Sequence, residues 1–224
     1  MALKYKCLIL DHDDTAVDST SHIHHPAHIE AMKILRPGLT PLDLKGWFLI
    51  NFDPGIMPYL TEKLDLTSSE LEKEFNVWRS YTSSRIPHFY PGFLEMLQRY
   101  REKGGLIAVV SHSQEDIIRR DYKHNSASAP LMPDIIYGWV DDHNKRKPSP
   151  WPVRQILAKF QLLPEEVLII DDLKPGVQMS RAAGVAVAAA GWGHDITEIR
   201  EYMTENCLAY FETVEDFAAF IFES

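Results

Sequence analysis

The sequence predicts an α/β protein built on a doubly wound parallel sheet, with a helical segment inserted after the first strand. Three observations carry this expectation. Short runs rich in branched apolar residues recur at 7–10 (CLIL), 106–110 (LIAVV), 167–170 (VLII) and 185–189 (VAVAA). Their apolarity is continuous rather than alternating, as in strands covered on both faces. From residue 91 onward such runs alternate with helical patterns, whereas residues 20–88 offer helices alone.

In chain order, the strand at 7–10 is followed by helical patterns at 26–35, 42–49 and 68–81, the last with Ser68 or Ser69 as cap. Pro91-Gly92 opens a helix that runs to Lys103 and stops at Gly104-Gly105, proline at the start and glycine past the end. After the strand at 106–110, Ser113 can cap a helix over 114–122. A weaker strand pattern lies at 135–140, helices are expected at 152–160, 175–183 and 213–222, and 207–211 is a candidate edge strand. The expected division is a core of residues 1–19 and 89–224 and a helical unit of residues 20–88. Trp47, Phe48 and Tyr59 read as core of that helical unit.

Composition narrows the function. A chain of 224 residues is long enough for a large domain with an insert. A formal net charge of −9, with no Lys/Arg-rich stripe, argues against a nucleic-acid binder. No apolar run approaches the ~20 residues that span a bilayer, so no membrane partner is expected. The first apolar run stops at Asp11, too early for a signal peptide. Cys7 and Cys207 lie far apart in apolar segments and read as small hydrophobes rather than a disulfide, which makes the cytoplasm the expected compartment. The chain is expected to act as a monomer or homodimer.

The reactive edge of an open parallel sheet lies beyond the carboxyl ends of its strands. Three strand ends here carry polar residues at that point: Asp11-His12-Asp13-Asp14-Thr15, Ser111-His112-Ser113 and Asp171-Asp172. Any one of them alone could be a turn or a helix cap. Together they place Asp11, Asp13, Asp171 and Asp172 at one edge, and four carboxylates cannot all stay ionised there without a cation. A hard divalent ion with oxygen ligands, Mg²⁺ first, answers that need, and Lys147 in KRKPSP can add a further positive charge.

With these residues in order, the sequence resembles the haloacid dehalogenase-like hydrolase superfamily, in its phosphatase branch with a helical cap, phosphoglycolate phosphatase-like or β-phosphoglucomutase-like. The matching motifs are LILDHDDT, AVVS, KPSP and VLIIDDLKPG followed by SRAAGV, and FYPGFLEML is similar to the linker that returns from the cap. The resemblance implies a Rossmann-like core and a small phosphorylated metabolite as substrate. It further implies that Asp11 is the nucleophile, that Asp13 is the general acid and base, and that Ser111, His112 (through its backbone N–H) and Lys147 hold the phosphoryl group. Mg²⁺ would then be held by Asp11, the carbonyl of Asp13, Asp171 and Asp172. A carboxylate at position 13 favours C–O–P cleavage, because dehalogenases and phosphonate-cleaving members lack it. Two departures stand out: Asp14 replaces the usual glycine, and Leu173 replaces a small polar residue. Asp tolerates positive φ better than most residues, so the turn at Asp14 is expected to survive.

Two other readings differ in chemistry. A sugar phosphomutase would return the phosphoryl group to its substrate. A non-catalytic phosphoacceptor module would carry its acidic pair after the first strand, with no second pair after 167–170 and no helical insert. His22, His24, His25 and His28 open the insert. Their spacing fits tetrahedral Zn²⁺ poorly, and a solvated helix start or a pocket lip is the expected role.

Overall fold

The computed structural model describes residues 3–125 and 131–223. The chain divides into two compact units, one made of the segments up to Asp18 and from His88 onward, the other of Ser19–Pro87. Among the described residues no helix is long and apolar enough to cross a membrane.

The first unit holds Cys7–Leu10 (β1), Val17–Asp18 (β2), His88–Phe89 (β3), Leu106–Val110 (β4), Ile135–Tyr137 (β5), Val167–Asp171 (β6), Ala186–Ala190 (β7) and Tyr210–Phe211 (β8). Six of these form one sheet in the order β5-β4-β1-β6-β7-β8, every neighbouring pair parallel. The short β2 and β3 pair antiparallel with each other. β1 lies between β4 and β6, with Leu10 level with Val109 on one side and Ile170 on the other. That register brings the three strand ends to one line, where the strand order switches direction.

Alternate residues of a strand face opposite sides. Leu8, Leu10, Ile107, Val109, Leu168 and Ile170 share one core with Phe93, Leu97, Tyr100, Phe217 and Ile221. The last five come from Phe93–Glu102 and Val214–Phe222. The intervening Ile9, Ala108 and Ile169 are equally buried, and Trp151–Phe160 and Lys174–Ala183 pack against β4, β6 and β7. Coverage of both faces explains the unbroken apolar runs. The strand expected at 135–140 ends at Tyr137, and the edge strand reduces to two residues. Thr197–Asn206 is a helix the sequence did not announce: only Ile199 and Met203 are buried on it, too few to raise a periodic signal. Cys7 is buried, Cys207 is half-buried, and both are free thiols.

The second unit contains His25–Leu35, Leu44–Phe52, a single turn at Ile56–Pro58 and Ser68–Ser84. The last is capped by Thr67, not Ser68 or Ser69. Thr67 accepts from the Glu70 N–H, and the Glu70 carboxylate accepts from the Thr67 N–H at 2.9 Å. This reciprocal box satisfies two otherwise orphaned donors, which a serine one residue later could not do. Met32, Tyr59, Leu60, Leu64 and Leu66 form the core, and Trp47 and Phe48 are buried as expected.

The histidines of this unit differ from their expected solvated role. Only His22 is exposed. The Trp78 indole N–H donates to His24 Nδ1 at 3.0 Å, His25 Nε2 lies 2.8 Å from the Leu42 carbonyl, and His28 stacks on Trp47 at 4.4 Å. Aromatic packing occupies these rings. Burial, with a smaller contribution from His25, pulls the His28 imidazole from 6.5 down to about 4. A histidine whose folded value is depressed contributes stability above its unfolded value and loses it as pH falls. About 2 kcal/mol is therefore expected to vanish between pH 7.5 and pH 5. His28→Phe should shrink the gap between urea midpoints measured at those two pH values, and an unchanged gap would refute this account.

Candidate active site

Beyond Leu10 the chain bends sharply. The Asp11 N–H still donates to the Ile170 carbonyl at 2.9 Å, continuing the ladder with β6. The His12 carbonyl then accepts from the N–H groups of Ala16 and Val17 at 2.9 and 3.0 Å, and the Asp14 N–H donates to the Val17 carbonyl at 2.8 Å. This closed turn holds Asp14 at φ 56°, the left-handed conformation in which a glycine is usual and an aspartate is tolerated. Gly193 backs the turn. A Cβ there would lie 2.2 Å from the Asp14 carbonyl oxygen, so the segment after β7 can approach only without a side chain.

Asp11 is buried, and its two oxygens are not equivalent. Oδ1 accepts the His12 N–H at 2.7 Å and lies 2.9 Å from Lys147 Nζ, while Oδ2 accepts no hydrogen bond from the described residues. Lys147 also reaches Asp171 Oδ2 at 2.9 Å, bridging the ends of β1 and β6 from the side of the loop before Trp151–Phe160. The other oxygen of Asp171 accepts the Leu173 N–H at 3.1 Å, a backbone contact indifferent to the unusual side chain at 173. Gly176 lets the following helix close on Asp171, since a Cβ would sit 2.1 Å from its Cγ. Asp172 Oδ1 accepts from the Thr15 hydroxyl at 3.1 Å, and its Oδ2 lies 3.6 Å from His194 Nε2.

Among the described residues, Asp11, Asp171 and Asp172 offer ligand atoms within 4.8 Å of one another. The Asp13 carboxylate stands outside this group. It accepts from the Ser113 hydroxyl at 2.5 Å. Ser113 thus spends its hydroxyl on Asp13 at the start of Glu115–Asn125, where it was expected as a cap. Ser111 is buried at the end of β4, its hydroxyl accepting the Ser113 N–H at 3.1 Å. The His112 imidazole, given no role in the sequence, lies with Nε2 2.9 Å from the Lys147 carbonyl. Burial and the Lys147 charge lower its pKa to about 4, so the ring is neutral and donates this bond.

The electrostatics are those of a site short of positive charge. Burial pushes Asp11 well above the usual carboxylate range, with Asp171 and Asp172 adding to the effect and Lys147 opposing it. Burial raises Asp171 too, again against Lys147. Burial also works against the Lys147 ammonium, but Asp11 and Asp171 outweigh it and hold its pKa above the ordinary lysine value. One buried ammonium cannot balance three clustered carboxylates, and an all-oxygen donor set of this size suits a hard divalent cation. Sequence reasoning gave no role in the site to Thr15, Trp192, Gly193 or His194. Trp192 donates its indole N–H to the Thr15 carbonyl at 2.9 Å, so the segment after β7 braces the turn that follows Asp11.

Comparison with known proteins agrees with this fold. A family model described as haloacid dehalogenase-like hydrolase matches residues 8–190. A phosphoglycolate phosphatase of Vibrio vulnificus is 24% identical over 197 residues, covering 85% of each chain. A haloacid dehalogenase-like hydrolase from Streptococcus pneumoniae superposes with a TM-score of 0.75 at 20% identity, covering 97% of this chain and 98% of that one. CbbY from Rhodobacter sphaeroides, solved with phosphate, gives 0.72 at 14% identity over 93% and 94% of the two chains. A family match over most of the sequence, on a six-stranded sheet whose strand ends gather the acidic site, leads to one assignment: the chain belongs to the haloacid dehalogenase-like hydrolases.

Proposed function

We propose that this protein is a Mg²⁺-dependent phosphatase that hydrolyses a small phosphomonoester metabolite through an aspartyl-phosphate on Asp11. The observation that carries the reading is the inequivalence of the Asp11 oxygens. One is held by an N–H and an ammonium, and the other accepts no hydrogen bond from the described residues.

Asp11 Oδ2 attacks phosphorus, forming an acyl phosphate as the bond to the substrate alkoxide breaks. Asp13 gives its proton to the departing oxygen. Asp13, now a carboxylate, takes a proton from water as that water attacks phosphorus, releasing inorganic phosphate and restoring the Asp11 carboxylate. The Ser111 hydroxyl and the Lys147 ammonium hold the phosphoryl oxygens, with backbone N–H groups after Asp11 and at the start of Glu115–Asn125 adding dipolar stabilisation. The carboxylates of Asp11, Asp171 and Asp172, with the Asp13 carbonyl, would hold Mg²⁺, whose charge screens the repulsion between the nucleophile and the phosphate.

The names of the curated relatives make phosphoglycolate the first substrate to test. Purified protein is expected to release inorganic phosphate from it or from another small phosphomonoester, to lose that activity in chelator and to regain it with Mg²⁺ alone. Ca²⁺ should substitute poorly, because it favours larger and looser coordination. Isomerisation of a sugar phosphate without phosphate release would establish the mutase instead. Full activity after rigorous metal removal would refute the metal assignment.

A further inference from the structure

The helix Glu115–Asn125 buries Ile117, Ile118, Asp121 and Tyr122 on one face. An aspartate holds a position where an apolar residue is expected. It faces His12, the residue between Asp11 and Asp13, and both side chains are 1% exposed. His12 Nε2 lies 3.1 Å from Asp121 Oδ2, and the Arg120 guanidinium donates to Asp121 Oδ1 at 2.9 and 2.6 Å. The His12 ring stacks on Tyr122 at 5.9 Å and meets Phe89 edge-on at 6.3 Å. Its Nδ1 is buried without a hydrogen-bond partner among the described residues.

Packing alone does not call for such a pair. A buried polar pair costs desolvation that apolar residues of similar volume do not, and the orphaned Nδ1 adds a further cost. What the pair supplies is direction. The His12 N–H donates to Asp11 Oδ1, and the His12 carbonyl closes the turn through Ala16 and Val17. A rotation of the peptide at position 12 therefore re-aims Asp11 and shifts Asp13.

We propose that His12 is a positioning residue for the nucleophile, tied by its imidazole to Asp121 so that the Asp11–Asp13 turn and the helix after Ser111 move as one body. The Asp13–Ser113 bond is a second tie between the same two elements. The inference rests on the reading of Asp11 as nucleophile. A misplacement of about 1 Å can cost ~10²-fold in rate, so a lost tie should appear in kcat rather than in binding.

The test is steady-state phosphate release by the Mg²⁺-loaded full chain, well below the melting temperature of each variant. His12→Phe is expected to lower kcat by about tenfold or more with KM within about twofold. His12→Gln, whose amide can still donate to Asp121, should recover most of that loss. The double variant His12→Phe/Asp121→Leu should lose no more than the more impaired single variant, because both changes cut the same tie. Should His12→Phe fail to fold, Asp121→Leu carries the test with the same kcat-only loss. A kcat at the wild-type level in these variants, or additive losses in the double, overturns the proposal while leaving the phosphatase reading intact. A wild type that releases no phosphate from any phosphomonoester overturns both.

Discussion

Asp11→Asn is expected to reduce phosphate release by on the order of 10⁴-fold or more, because an amide cannot form the acyl phosphate and no other described carboxylate occupies its place. The same substitution should leave the metal-free protein as stable as wild type or more so. Burial and its acidic neighbours raise the folded pKa of Asp11, so the fold favours the protonated form. A carboxyl of that kind contributes stability below its unfolded value and loses it as pH rises through the folded one. The neutral amide should therefore gain its advantage near pH 7.5, and the advantage should disappear in acid, where Asp11 is itself uncharged. Melting curves of both proteins in chelator at the two pH values check this. More than trace turnover, with deamidation excluded, would refute the covalent mechanism. A clearly less stable metal-free Asp11→Asn would show that the charges at this edge do not repel as argued.

Lys147→Met should move stability the other way. The substitution keeps the aliphatic stem and removes the ammonium that lies 2.9 Å from both Asp11 and Asp171. Two buried carboxylates are then left facing each other, a loss typically worth about 3–5 kcal/mol when one member of a buried ion pair is deleted. Turnover should fall by roughly 10²–10³-fold, the usual effect of removing one preorganised group from a developing anion. Mg²⁺ stabilises the native state by mass action, about 2.7 kcal/mol at a hundredfold excess over its dissociation constant. A Mg²⁺ titration of Lys147→Met should therefore restore part of the lost melting temperature. Asp172→Asn, lacking a ligand, should respond much less than wild type. Melting of Lys147→Met at the wild-type temperature in chelator would show that the lysine is not the main compensation for these carboxylates.

Much of this site is legible from local patterns. A strand run ending in a carboxylate is visible wherever both faces of the sheet are covered, since burial makes all of CLIL, LIAVV and VLII apolar and the first polar residue marks the strand end. Asp11, Ser111 and Asp171 stand out for that reason. Asp121 carries a weaker signal of the same kind, an acid four residues after Ile117 on a face that should be apolar. Gly193 carries none, because its need arises only from the nearness of the Asp14 carbonyl.

By itself, the sequence determined the residue types at each strand end, the helical insert and the parallel α/β class, because these depend on periodicity and turn chemistry within a few residues. The tertiary structure alone decided which atoms meet. The order β4-β1-β6 sets residues distant in the sequence side by side, and with it come the bond of Asp13 to Ser113, the bridge of Lys147 between Asp11 and Asp171, and the pairing of His12 with Asp121. A carboxylate on a sheet edge can face either neighbour. Which of its oxygens is engaged is fixed by the register of the adjoining strands and by the approach of the loops, and neither is encoded in any local stretch of residues.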